Sequence, residues 1–264
     1  MGNNKIGLQG ILYDAKSSFM QGSALAPPLI RKAYNSSSVN YFSESGIELT
    51  PGIWSDMGDY KIDDYFEIET ITAKTLVNEQ PLITLGGDHS ITYPVLKAVY
   101  DHYGPVHMLH IDAHSDLYDE FEGDKYSHAC PFARIMEDKL ASRLLQVGVR
   151  TLSSHQKEQA NTYGVEIVAM KDFDPKSIPK FDAPIYLSLD IDALDPAYAP
   201  GVSHHEPGGL STRQILQIIQ NINVPIIAAD IVEYNPTRDI NGMTAMVCAK
   251  FLKEIAAKMI ENKV

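Results

Sequence analysis

Cysteine is almost absent from this 264-residue chain: only Cys130 and Cys248 occur, far apart and in no Cys-x-x-Cys pair. A disulfide framework is thereby excluded, and a reducing cytoplasm is the compartment expected. No stretch approaches the roughly eighteen apolar residues of a membrane span. The opening Met1-Gly2-Asn3-Asn4-Lys5 carries no apolar signal region, so a soluble protein with no membrane partner is expected. Basic residues are scarce, 22 Lys and Arg against 34 Asp and Glu, for a formal charge of −12. That balance argues against nucleic acid and suits a small cationic or polar ligand. No internal repeat, low-complexity segment or linker interrupts the sequence. Residues 1–264 are therefore read as one domain, long enough for a substantial core.

What is present is an alternation of apolar runs and amphipathic stretches. Strands are expected at Lys5–Leu12, Ile53–Met57, Pro81–Leu85, Val106–Asp112, Leu144–Val149, Val165–Met170, Pro184–Ile191 and Val224–Val232. Helices are expected at Leu25–Tyr34 (opened by Pro27-Pro28), Asp63–Asn78, Thr92–Tyr103, Pro131–Leu140, Ser154–Tyr163, Ser211–Asn221 and Met243–Ile260. Leu117–Ser127 has no period and is expected to be a long acidic loop. The pattern predicts an α/β fold: a mainly parallel sheet of about eight strands between two helical layers. In such sheets ligands bind beyond the carboxyl ends of the strands.

Chemistry concentrates at those ends. The strand Val106–Ile111 leads into Asp112, His114 and Asp116, and a second apolar run leads into Asp190, Asp192 and Asp195. In extended chain alternate side chains share a face, so each series is expected to form one wall of a site. Ionised carboxylates cost several kcal/mol to bury without a cation. Solvated or backbone-capping acids are the competing reading of the 112–116 series, whereas the 190–195 series is hard to explain without a cation. Gly86-Gly87-Asp88-His89-Ser90 is a glycine-rich strand-to-helix turn, whose His89 is either a helix cap or a metal ligand. Pooled, four aspartates (Asp112, Asp116, Asp190, Asp192) and two histidines (His89, His114) offer N and O donors suited to Mn²⁺, Mg²⁺ or Zn²⁺. Four carboxylate charges balance two divalent ions, which about 3.5 Å apart would generate a hydroxide nucleophile at neutral pH. His128 and Glu233 lie at the end of the acidic loop and after the last strand; capping or surface roles compete there. His102, His107, His110, His155, His204 and His205 are read as structural.

Gly-Gly-Asp-His-Ser at 86–90, Asp-Ala-His-Ser-Asp at 112–116 and Ser-Leu-Asp-Ile-Asp-Ala-Leu-Asp-Pro at 188–196 resemble, in order, the signatures of the ureohydrolases, the arginase and agmatinase family. The resemblance runs from about Gly10 to the end. The stretches 126–137, 144–150 and 199–209 look most like plant arginases and their bacterial relatives. It implies an arginase-like αβα fold and two Mn²⁺ per chain. His89, Asp112, Asp116 and Asp190 would hold one ion, and His114, Asp112, Asp190 and Asp192 the other. It also implies that His128 shuttles a proton to the leaving amine, that Glu233 pairs with a guanidinium, and that the chain forms a homo-oligomer, trimer or hexamer.

The substrate tail is argued from the loop Leu117–Lys125. Asp119, Glu120, Glu122 and Asp124 would repel a carboxylate and attract an amine. Agmatine, hydrolysed to putrescine and urea, is therefore the expected substrate, with arginine as the alternative. Asp119 and Asp195 are expected to join Glu233 in contacting it. Another guanidino or formimino substrate, or a non-catalytic metal-binding subunit of an assembly, are the further readings.

Overall fold

Short β-branched and leucine-rich runs form eight strands in the computed structural model, which describes residues 5–76, 81–176 and 178–262. They are β1 (Ile6–Leu12), β2 (Trp54–Lys61), β3 (Leu82–Leu85), β4 (Val106–Ile111), β5 (Ala141–Val147), β6 (Glu166–Val168), β7 (Ile185–Asp190) and β8 (Ile226–Val232). The helices are α1 (Ala26–Tyr34), α2 (Glu67–Leu76), α3 (Thr92–Tyr103), α4 (Pro131–Glu137), α5 (Ser154–Tyr163), α6 (Thr212–Gln220) and α7 (Met243–Glu261). One sheet has the order β2-β1-β3-β8-β7-β4-β5-β6, and every neighbouring pair is parallel. Parallel strands need long crossovers, and the helices supply them while covering both faces.

The alternation of strand side chains divides the core in two. Ile83, Leu109, Leu187 and Ile231 pack with Ile30 of α1, Ile215 of α6 and Phe251 of α7. Their neighbours Leu82, Met108, Tyr186 and Ala228 face the other way, against Ile68 of α2, Val95 of α3 and Phe132 of α4. The result is the three-layer αβα arrangement that the sequence predicts.

Of the boundaries that differ, two have clear local reasons. Helix α2 starts at Glu67, not Asp63, because the Asp64 carboxylate accepts from Phe66 N (2.9 Å) and holds a turn there. The expected end of that helix, at 77–78, lies outside the described residues. β2 runs on past Gly58 to Lys61, with its register to β1 slipping between Leu8 and Gly10, as an edge strand tolerates. No described helix is long and apolar enough to cross a membrane. The inner strands β3, β8, β7 and β4 are consecutive in the sheet, so their carboxyl ends open side by side.

Candidate metal centre

His89 is delivered by a turn that only glycine permits. A Cβ on Gly87 would lie 1.6 Å from Tyr13 O, and the adjoining Asp88 N donates to that same carbonyl (3.0 Å). Gly87→Ala therefore has to push two backbone segments apart. We expect it to destabilise the fold by about 1–3 kcal/mol or more, measured as a lower urea midpoint, whereas no change would mean the turn has slack. Asp88 is fully buried and caps the short 3-10 turn at His89–Ile91, accepting from Ser90 N (3.1 Å).

The two acidic series come together by turns rather than by extended chain, which corrects the alternating-face expectation. β4 ends at Ile111, and Asp112 Oδ1 accepts from His114 N (2.6 Å). β7 ends at Asp190, whose Oδ1 accepts from Asp192 N (2.7 Å) in the same manner. In each case one carboxylate oxygen holds the turn. Asp116 lies beyond it, in left-handed backbone with φ of 48°, and its side chain returns toward His89.

The structure thus gathers all the residues expected to hold metal. His89 Nδ1 stands 3.2 Å from Asp112 Oδ2, 3.1 Å from Asp116 Oδ2 and 3.1 Å from Asp190 Oδ2. His114 Nδ1 stands 3.1 Å from Asp192 Oδ2 and 3.4 Å from Asp112 Oδ1. Ser188 Oγ donates to Asp230 Oδ1 (2.7 Å), so it accepts from His89 Nε2 (2.9 Å), which puts the ring proton there. His89 Nδ1 then presents a lone pair to three carboxylate oxygens, and it is buried without a hydrogen-bond partner. Lone pairs facing lone pairs in a buried site fit a cation placed between them.

The site draws positive charge: burial opposes it, but Asp112, Asp116 and Asp190 hold the His89 pKa well above its ordinary value when no metal ion lies between them. Burial, with Asp192 and Asp112 beside it, pushes Asp190 well above the ordinary carboxylate range. Burial acts the same way on Asp112, but His110, His114 and His89 outweigh it and hold that carboxyl well below. His110 also belongs to a buried group with His89 and Asp112. Its Nδ1 accepts from Gln146 Nε2 (3.0 Å) and its Nε2 donates to Asp112 Oδ2 (2.8 Å), so it steadies that carboxylate rather than offering a lone pair.

Beside this cluster is a cleft of about 310 Å³ lined by His114, Asp116, Asp190, Asp192, His128 and Glu233, and also by Ser18, Tyr118, Phe121, Gln156 and His204. His128 Nδ1 and Glu233 Oε1 are 2.9 Å apart, and that oxygen also accepts from His89 N (2.9 Å). The loop acids point elsewhere. Asp119 meets His155 Nε2 (2.8 Å) with more than half its side chain exposed, and Asp124 is paired with Lys16 Nζ (2.5 Å). Asp119, Glu120, Glu122 and Asp124 are not among the lining residues, which are Tyr118 and Phe121 on that loop. Asp195 is also away from the cleft lining: it accepts from Ala197 N, Gly208 N and Gly209 N and holds its own turn.

Several residues of the site escape the sequence reading. Ser188 is spaced two residues before Asp190, a signal that would have found it, while His110, read as structural, does take a supporting place beside Asp112. Asp230, fully buried and bound by Thr92, Tyr186 and Ser188, and His204 at the cleft carry no comparable signal.

Residues 4–257 match the family model described as the arginase family. The chain belongs to the arginase family. It is similar to "Arginase 1, mitochondrial" of Arabidopsis thaliana, with 46% identity covering 96% of this chain and 80% of that one. The solved arginase of Medicago truncatula superposes with a TM-score of 0.91 at 42% identity, covering 97% of this chain and 88% of that one. "Agmatinase, mitochondrial" of Gallus gallus is 33% identical over 93% of this chain and 78% of its own. The arginase-like fold and hydrolysis of guanidino C–N bonds follow, as does dependence on metal.

Two expectations are corrected. Agmatine as the main substrate is overturned by the much greater likeness to plant arginases. Its physical basis fails too, because the acids meant to repel a carboxylate do not line the cleft. The cytoplasmic assignment is overturned by the organellar names of the plant relatives. Cys130 and Cys248 are each buried and unpaired, and two isolated thiols do not distinguish one compartment from another.

Proposed function

We propose that this chain is an arginase, hydrolysing L-arginine to ornithine and urea with a pair of Mn²⁺ ions. The observation that carries the reading is 46% identity to a plant arginase along 96% of the chain, against 33% to an agmatinase. The cleft supports it. Thr151, Ser153 and Gln156, neutral hydrogen-bonding groups, are among its lining residues, the last two capping one another at the amino end of α5. The positive end of a helix favours a carboxylate by a few tenths to about 1 kcal/mol.

In this reading His89, Asp112, Asp116 and Asp190 hold one ion, and His114, Asp112, Asp190 and Asp192 the other. When bound, the ions lower the pKa of water and polarise the guanidinium carbon. The chain's own residues do the rest. Glu233, fixed through Oε1 by His89 N and His128, pairs with the guanidinium and orients its carbon toward the aspartates. His128 holds a proton for the departing amine nitrogen, without which an alkylamine leaves poorly.

A urea-release assay across arginine, agmatine and guanidinobutyrate tests the substrate. We expect kcat/KM for arginine to exceed that for agmatine by at least about tenfold. Neutralising Asp119, Glu120 and Glu122 together to amides should leave that ratio unchanged. A wild-type preference for agmatine would remove the arginase reading and restore the loop acids to the argument.

A further inference from the structure

Between β1 and α1 the chain passes over the cleft and is tied down at each step. Asp14 Oδ2 accepts from Gly22 N (2.6 Å) and Ala24 N (3.1 Å), closing the segment on itself. Lys16 N donates to Asp88 Oδ2 (2.9 Å), and Lys16 Nζ pairs with Asp124 (2.5 Å). Lys16 O accepts from His128 N (3.2 Å). Two residues on, Ser18 N donates to His128 Nε2 (3.2 Å), and Ser18 Oγ lies 2.8 Å from that nitrogen. Ser18 is therefore fixed against the imidazole through backbone held at both ends.

This contact distinguishes the two states of the ring. A backbone N–H only donates, so in the neutral ring Nε2 is the acceptor and Nδ1 carries the hydrogen given to Glu233. When the ring takes a second proton, that proton sits on Nε2 and faces the Ser18 N–H. Only the Ser18 hydroxyl can turn to accept it. The other charged or titratable neighbours of His128 are Glu233, Asp88 and Asp116, with the His204 ring at 5.5 Å. Nε2 itself meets Ser18 N and Ser18 Oγ.

We propose that Ser18 is a positioning residue for proton delivery: its hydroxyl donates to neutral His128 and accepts from the charged ring, holding a proton on Nε2 beside the cleft. The inference rests on the proton-donor role proposed for His128. In the balance of the reaction, the water that adds to the guanidinium carbon sheds one proton. Charged His128 gives its Nε2 proton to the departing nitrogen as the C–N bond breaks, and the neutral ring then takes back the proton shed by the next water, so it ends charged as it began.

The test compares Mn²⁺-loaded wild type, Ser18→Ala, Ser18→Thr and His128→Asn on two substrates. One is arginine. The other is the arginine analogue with oxygen in place of its Cδ methylene, whose departing aminooxy nitrogen is far less basic and needs less protonation. Ser18→Ala should lower kcat on arginine by about tenfold or more with KM within about twofold, lose distinctly less on the analogue, and retain its metal. Ser18→Thr should recover most of the loss. Ser18→Cys, close in size but weak in hydrogen bonding, gives the same readout should the alanine variant not fold. Equal losses on both substrates, a change in KM alone, or wild-type turnover in Ser18→Ala while His128→Asn is slow would each overturn the role of Ser18 only. Full turnover in His128→Asn would overturn the parent reading, and this inference with it.

Discussion

Asp112→Ala is expected to abolish urea release and to strip the protein of metal. In protein dialysed and reloaded with Mn²⁺, metal analysis should fall from about two ions per chain to well below one. Turnover should fall by more than about a hundredfold, since losing even an outer partner of a metal ligand costs ten- to a hundredfold. The expectation comes from position. Asp112 reaches His89 through Oδ2 (3.2 Å) and His114 through Oδ1 (3.4 Å), so it is a carboxylate common to both halves of the cluster. The same Oδ1 holds the turn at His114 N, so the alanine variant also loosens a neighbouring ligand. His89→Ala removes a group from one half only and should weaken mainly one ion. Protons compete for these donors, so metal occupancy in every variant should fall as pH falls. An Asp112→Ala protein that keeps two ions and its activity would dissolve the binuclear arrangement.

Why such positions were visible in sequence is a matter of local chemistry. An apolar run ending in Asp-x-His or Asp-x-Asp announces both a buried strand and an uncompensated charge, and two physical constraints at one place leave few readings. The order of strands and helices was legible for the same reason: Leu109, Ile111, Leu187 and Leu189 are buried on both sides and cannot be surface. The route by which the acids meet was not legible. Alternation suggests an extended wall, yet Asp112 and Asp190 each bend the chain by capping an amide two residues on. The same self-capping is an equally local property of aspartate, and only the three-dimensional site shows it operating together with the metal-site geometry.

The acidic loop shows the opposite failure. Its charge is plain in sequence, but where that charge points depends on partners outside the loop, one of them 108 residues away. Asp124 is drawn to Lys16, Asp119 to His155, and Tyr118 and Phe121 line the cleft instead. A run of like charges was read as a selectivity filter when it is mostly a solvated face with one internal latch. Ser18 was missed in the same way. Nothing around it in Lys16-Ser17-Ser18-Phe19 announces a site, and its position over His128 is created by ties to Asp88 and Asp14.

His128→Asn is expected to keep metal and substrate binding while losing about 10²–10⁴-fold in kcat, the usual worth of a placed proton donor. Asparagine is close in reach and still donates toward Glu233, so the fold and the Glu233 carboxylate should survive. What is lost is a group that changes its charge. Burial alone would push the His128 pKa down, but the hydrogen bond and charge of Glu233 overcome it and raise the pKa to about 9. The sign follows directly. Below that pH the ring is protonated and able to deliver its proton, and above it the donor is lost. The alkaline limb of the kcat profile should therefore lie near pH 9 in the wild type. Glu233→Gln should move it to lower pH, because the carboxylate that raised the value has gone. Turnover at the wild-type rate in His128→Asn, or an alkaline limb that stays in place in Glu233→Gln, would take the proton out of this imidazole and require another donor in the cleft.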